Sequence, residues 1–66
     1  MILLVNGKEL EVEDNISVIE LLNSLEINLD IVVVEIDFEI IPKDKYLSTK
    51  LSTNSKVEII RFVGGG

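Results

Sequence analysis

Apolar and polar residues alternate along this chain with more than one period, and each period predicts a different element. Ile2-Leu3-Leu4-Val5 is a short apolar run of β type, followed by Asn6-Gly7. That pair is the strongest local hairpin signal, because a type I′ turn needs positive φ at both central residues. Residues 8–13 then alternate strictly, with Leu10 and Val12 on one side and Glu9, Glu11 and Glu13 on the other. Period two marks a half-buried strand. Asp14-Asn15 breaks it. Ser17 and Glu20 have the spacing of a capping box. Val18, Leu21, Leu22 and Leu25 fall at i, i+3, i+4 and i+7, which predicts a helix from 18 to 25 or 26. Residues 31–36 are rich in β-branched side chains and read as a buried strand. Asp37-Phe38 turns the chain into a short strand, 39–41, closed by Pro42, which cannot donate to a ladder. Residues 43–53 show no clean period and read as loop with one helical turn. Asn54-Ser55 is a turn, 56–63 a last strand, and Gly64-Gly65-Gly66 follows it.

The predicted order is β-β-α-β-β-β, an α+β fold with one mixed sheet and one main helix packed on one face. Successive side chains of a strand point to opposite faces, so parity assigns them. In the last strand charged Glu58 should face away from the helix, taking Ile60 and Phe62 with it, while Val57 and Ile59 enter the core. In the first strand polar Asn6 should carry Ile2 and Leu4 outward and leave Leu3 and Val5 inside.

Size makes that single layer demanding. A chain of 66 residues is one domain, and it buries only about 60% of the surface its unfolded chain exposes. Its 27 Ile, Leu and Val residues can fill one helix–sheet layer. With no Cys there is neither a disulfide nor a thiolate metal site to staple it. Apolar runs stop after four residues and no basic leader precedes them, so a soluble, cytoplasmic protein that does not enter membranes is expected.

The net charge of −6 is unevenly placed. Through Glu39 there are ten acidic residues against Lys8 alone; from Ile40 onward there are five basic and two acidic. The acidic stretch reads either as solvated strand faces or as a surface that docks on basic partner enzymes. It argues against nucleic acid, whose phosphates need a basic surface.

Chemistry is reached by subtraction. Without His or Cys, the commonest general base and the strongest common nucleophile are both missing. Ser17 is better explained as an N-cap than as a nucleophile. The carboxylates alternate on strand exteriors, and no metal site is expected. The glycine tail lacks a phosphate-loop pattern. It reads either as a frayed end or as an arm without Cβ atoms, able to thread a narrow channel and deliver its terminal carboxylate.

Taken together, the opening Ile2 to Gly7, the run Ser17-Val18-Ile19-Glu20-Leu21-Leu22, Val32-Val33-Val34-Glu35, Ile41-Pro42-Lys43 and Val57-Glu58-Ile59-Ile60-Arg61 before the glycines resemble the ThiS family, the ubiquitin-like sulfur carriers of thiamine biosynthesis. The resemblance spans the whole chain. It implies a β-grasp domain over 1–63 and a flexible glycine tail over 64–66. It further implies that the Gly66 carboxylate is adenylated and converted to a thiocarboxylate that donates sulfur for thiazole formation. Gly64 and Gly65 would thread the tail. The implied partners are an E1-like adenylating enzyme, a sulfur-donor enzyme and a thiazole synthase. No cofactor would be bound, ATP being used by the activating enzyme. If first and last strands are neighbours, as the resemblance implies, Ile2, Leu4, Ile60 and Phe62 form one apolar docking patch beside the tail. The chain departs from the family at Asp37-Phe38, where Asn with Gly is usual, and at Asn54-Ser55, where Gly-Asp is usual; Gly64 is a milder difference. A molybdopterin-type carrier, a protein modifier, or a β-grasp binding module with an idle tail are the other readings of the same residues.

Overall fold

Seven residues suffice for the helix because its first turn is held by another part of the chain. The computed structural model describes residues 1–62. Its elements are β1 (Ile2–Val5), β2 (Lys8–Glu11), helix α1 (Val18–Ser24), a 3₁₀ turn at Leu29–Ile31, β3 (Val32–Ile36), β4 (Glu39–Ile41), a second 3₁₀ turn at Lys43–Lys45, and β5 (Lys56–Arg61). The Ser17 hydroxyl accepts from the Glu20 amide at 3.2 Å, and the Glu20 carboxylate accepts from the Ser17 amide at 2.9 Å. The expected capping box is complete. Two further amides of this end, Val18 and Ile19, donate to the carbonyls of Thr49 and Tyr46. The aperiodic stretch after β4 is therefore not a free loop but a strap across the helix start, and it buries Tyr46 and Leu51.

The strands form one sheet in the order β2-β1-β5-β3-β4. β1 and β2 are an antiparallel hairpin, as are β3 and β4, and β5 enters between them, parallel to β1 and antiparallel to β3. The last strand in sequence is thus the central strand in space. Predicted edges shift slightly. β2 ends at Glu11 rather than residue 13, the helix ends at Ser24, and residue 31 belongs to the 3₁₀ turn before β3. β5 is regular to Arg61, and its expected last residue, Val63, lies outside the described residues.

The core is one layer. Leu3, Val32, Val34 and Val57 from the sheet meet Val18, Leu21 and Leu22 from the helix, closed by Tyr46 and Leu51. Val5, Leu10, Leu25, Ile36 and Ile59 pack around it, half-buried. Burying a side chain of this size contributes roughly 1.5–3 kcal/mol, so a domain this small depends on nearly every one.

Both hairpins turn through residues of positive φ. Asn6 and Gly7 stand at 50° and 81°, Asp37 and Phe38 at 49° and 73°. The first pair is what a type I′ turn favours. The second places an aromatic residue where L side chains crowd the following carbonyl, at a cost of about 1–2 kcal/mol. The Asp37 side chain offsets part of this by accepting the Lys56 amide at 3.0 Å, while its own amide donates to the Lys56 carbonyl.

Candidate functional site

Everything near the C-terminus depends on how β5 is gripped. One edge pairs with β3 along five residues, from Val57 opposite Ile36 to Arg61 opposite Val32. Its other edge pairs with β1 only at Lys56 and Val57, because β1 ends there. Asn6 continues the ladder with its side chain. Its amide oxygen accepts from the Ile59 N–H at 2.8 Å, and its amide nitrogen donates to the Ile59 carbonyl at 3.4 Å. In the sequence Asn6 reads as a turn residue and as a polar residue of outward parity; its side-chain role depends on a strand 53 positions away. Beyond β5 the Phe62 amide donates to the Ile31 carbonyl at 2.8 Å. Four residues follow in sequence. Fully extended, four residues span at most about 14 Å, which bounds the distance from Phe62 to Gly66. Gly64, Gly65 and Gly66, the expected threading and modification residues, lie outside the described residues.

The sheet face away from the helix carries the expected docking residues. Leu3 and Val57 are fully buried, whereas Ile60 is 47% exposed and Phe62 55% exposed. Ile2 and Leu4 are half-buried and lie outside the core cluster. The parity assignment therefore agrees with the burial of both strands. The single continuous patch does not. Leu4 stands beside Lys56, while Ile60 stands opposite Val33, four residues further along β5. That offset is about 13 Å, and Ile2 is further still. Strand adjacency was expected correctly, but alternation along a strand carries no information about stagger between strands. Ile60 and Phe62, with Val33 and Ile31, flank the root of the tail; Leu4 and Ile2 lie toward the other end.

Carboxylates border both regions. Glu58 faces Glu35 directly across the β5–β3 ladder, and Glu9 and Glu11 occupy the same outward face of edge strand β2, opposite Leu4 and Ile2. Like charges placed opposite one another across a sheet are unfavourable. On this face Lys56 is the cation nearest Glu58 in sequence, and its ammonium lies 5.5 Å from the centroid of the Phe38 ring. Elsewhere, the Glu20 carboxyl is displaced by its capping contacts. The Ser17 amide and hydroxyl hold it below its ordinary value, with a smaller contribution from Lys50. This is helix capping rather than a reactive site. Among the described residues no group of acidic side chains is arranged to hold a metal ion, and no helix is long and apolar enough to cross a membrane.

Comparison with known proteins places this architecture. The ThiS family profile matches residues 3–66. The chain is 39% identical to the sulfur carrier protein ThiS of Bacillus subtilis, over 92% of its own length and 94% of that protein. It is 36% identical to a thiazole synthase of Paramagnetospirillum magneticum, of which it spans only 20%. The crystal structure of the thiamine biosynthesis protein ThiS from Geobacter metallireducens superposes with a TM-score of 0.88 at 33% identity, covering 100% of both chains. A β-grasp sheet with one helix, a last strand that runs at the centre, and a family match continuing through the terminal glycines assign this chain to the ThiS family.

Proposed function

We propose that this protein is the sulfur carrier of a thiamine pathway and that its working group is the Gly66 carboxylate. The observation that carries the reading is the family match, which extends over residues 3–66 and so includes the terminal glycines as well as the domain. A terminal carboxylate has an ordinary pKa near 3.5 and is fully ionised at neutral pH, which makes it a poor electrophile. Activation therefore has to come from a partner. An E1-like enzyme would let a carboxylate oxygen attack the α-phosphorus of ATP and expel pyrophosphate. A sulfide-level nucleophile supplied by a donor enzyme would then add to the acyl carbon and expel AMP, leaving a thiocarboxylate for a thiazole synthase to consume. The carrier supplies recognition, through its folded body, and reach, through glycines that present no Cβ to a narrow channel. The similarity to a thiazole synthase favours thiamine over a molybdopterin pathway.

Incubation with the cognate adenylating enzyme, ATP and a sulfur source should raise the intact mass by the difference between sulfur and oxygen, and fragmentation should place the change on Gly66. Deleting Gly66 should abolish sulfur transfer and leave the thermal midpoint unchanged. A modified side chain above an unmodified C-terminus would refute the reading.

A further inference from the structure

Phe38 is the most exposed large apolar residue among those described, at 80%, and it stands at a φ of 73°. It takes no part in the core. The Lys56 ammonium, 5.5 Å from the ring centroid, offsets part of the cost of holding an aromatic ring in solvent on a strained backbone, and such outliers point to a functional constraint. A hollow of about 290 Å³ opens beside the ring on the outward face, lined by Leu4, Gly7, Phe38, Lys56 and Glu58. Its walls are mainly apolar: the Leu4 side chain, the ring, and the Lys56 stem. Its surroundings are acidic. Glu58 forms one wall and faces Glu35, and Glu9 stands beside Leu4. Lys56 is the one cation among the lining residues, set against these three carboxylates.

We infer that Phe38 and the hollow beside it are a second docking point for a partner of the carrier, one that takes an apolar side chain projecting from a basic protein surface. The inference rests on the carrier reading above. Lys56 begins β5 and Phe62 follows its end, so this point lies about 20 Å from the root of the tail. It grips the domain where the reactive arm does not reach. The partner's apolar residue fills the hollow against Phe38 and Leu4, and its cations lie over Glu58 and Glu35. A basic surface around an apolar anchor is the complement of an acidic face around an apolar hollow.

The test uses the full-length protein, its adenylating enzyme and its thiazole synthase. Phe38→Gly suits the turn and removes the ring, so its thermal midpoint should equal or exceed that of wild type. Its affinity for at least one of the two enzymes should fall by about tenfold or more. Glu58→Gln should reduce the salt dependence of that same association. Wild-type binding matched by Phe38→Gly within about twofold, for both enzymes, would overturn this docking point and leave the carrier reading intact. Wild-type protein that neither enzyme binds or loads with sulfur would overturn both. Self-association of wild type that Phe38→Gly abolishes, with enzyme binding unchanged, would assign the surface to a second copy and also overturn the proposal.

Discussion

Val57 and Ile60 lie three positions apart on one strand, yet they are opposite in kind. Val57 is 1% exposed and touches the helix layer; Ile60 is 47% exposed and faces away from it. The inward side of the sheet is complete, since helix and strap cover Leu3, Val32, Val34 and Val57. The outward side has comparable apolar residues and, among the described residues, no covering element. It also has Glu35 set against Glu58 and a positive φ at Phe38. An inward residue is explained by the fold it stabilises. The outward ones contribute little to that core, and the docking proposed for them is what the following variants test.

The sharpest way to break this contrast is a matched pair of truncations. Leu21→Ala should cost about 2–5 kcal/mol, a large share of the total stability of a small domain. Ile60→Ser should cost less than about 1 kcal/mol, with its loss appearing instead as weaker binding to a partner enzyme. Denaturant titration measures both, and an Ile60→Ser penalty as large as that of Leu21→Ala would move the outward face into the core. Asn6→Ala comes next. It removes two hydrogen bonds to Ile59 and should cost about 1 kcal/mol. Hydrogen exchange at the Ile59 amide should speed up more than at Val57, which β1 still holds. The smallest effect concerns Glu20. Its carboxyl is held below the ordinary value of 4.5 by the Ser17 amide and hydroxyl. Its stabilisation is therefore present above about pH 4.5 and is lost as pH falls through the lower, folded-state value. The stability gap between wild type and Glu20→Ala should narrow between pH 6 and pH 3; a gap that widens on acidification would contradict the capping account.

Much of the inward architecture was legible before any coordinates. Ser17 and Glu20 announced the helix start, Asn6-Gly7 the first hairpin, and parity sorted Leu3 from Leu4 and Val57 from Ile60. These features are local, decided within a few residues. What could not be read depends on distant partners. Tyr46 and Leu51 are buried because carbonyls of their segment meet amides of the helix N-terminus, and no periodicity inside that segment records it. The offset between Leu4 and Ile60 is a register between strands about fifty residues apart. Phe38 was read as a turn residue, yet its positive φ had no glycine to signal it. Of the candidate site, the exposed Ile60 and Phe62 were foreseen, while Asn6 as a brace and Phe38 as an exposed ring were not.

The central position of β5 also has a kinetic consequence. Leu4 pairs with Lys56, and the two hairpins touch one another in the sheet only through β5. Contacts that span most of a chain have to close a long loop before they stabilise anything, which slows folding relative to locally wired domains. During synthesis the sheet cannot assemble until the ribosome has released the segment through Arg61. An early termination product would therefore leave two separate hairpins, each marginal alone, in place of a finished domain. A polypeptide that has acquired this fold has thereby been translated almost to Gly64-Gly65-Gly66, so a folded body is seldom made without the glycines that follow it.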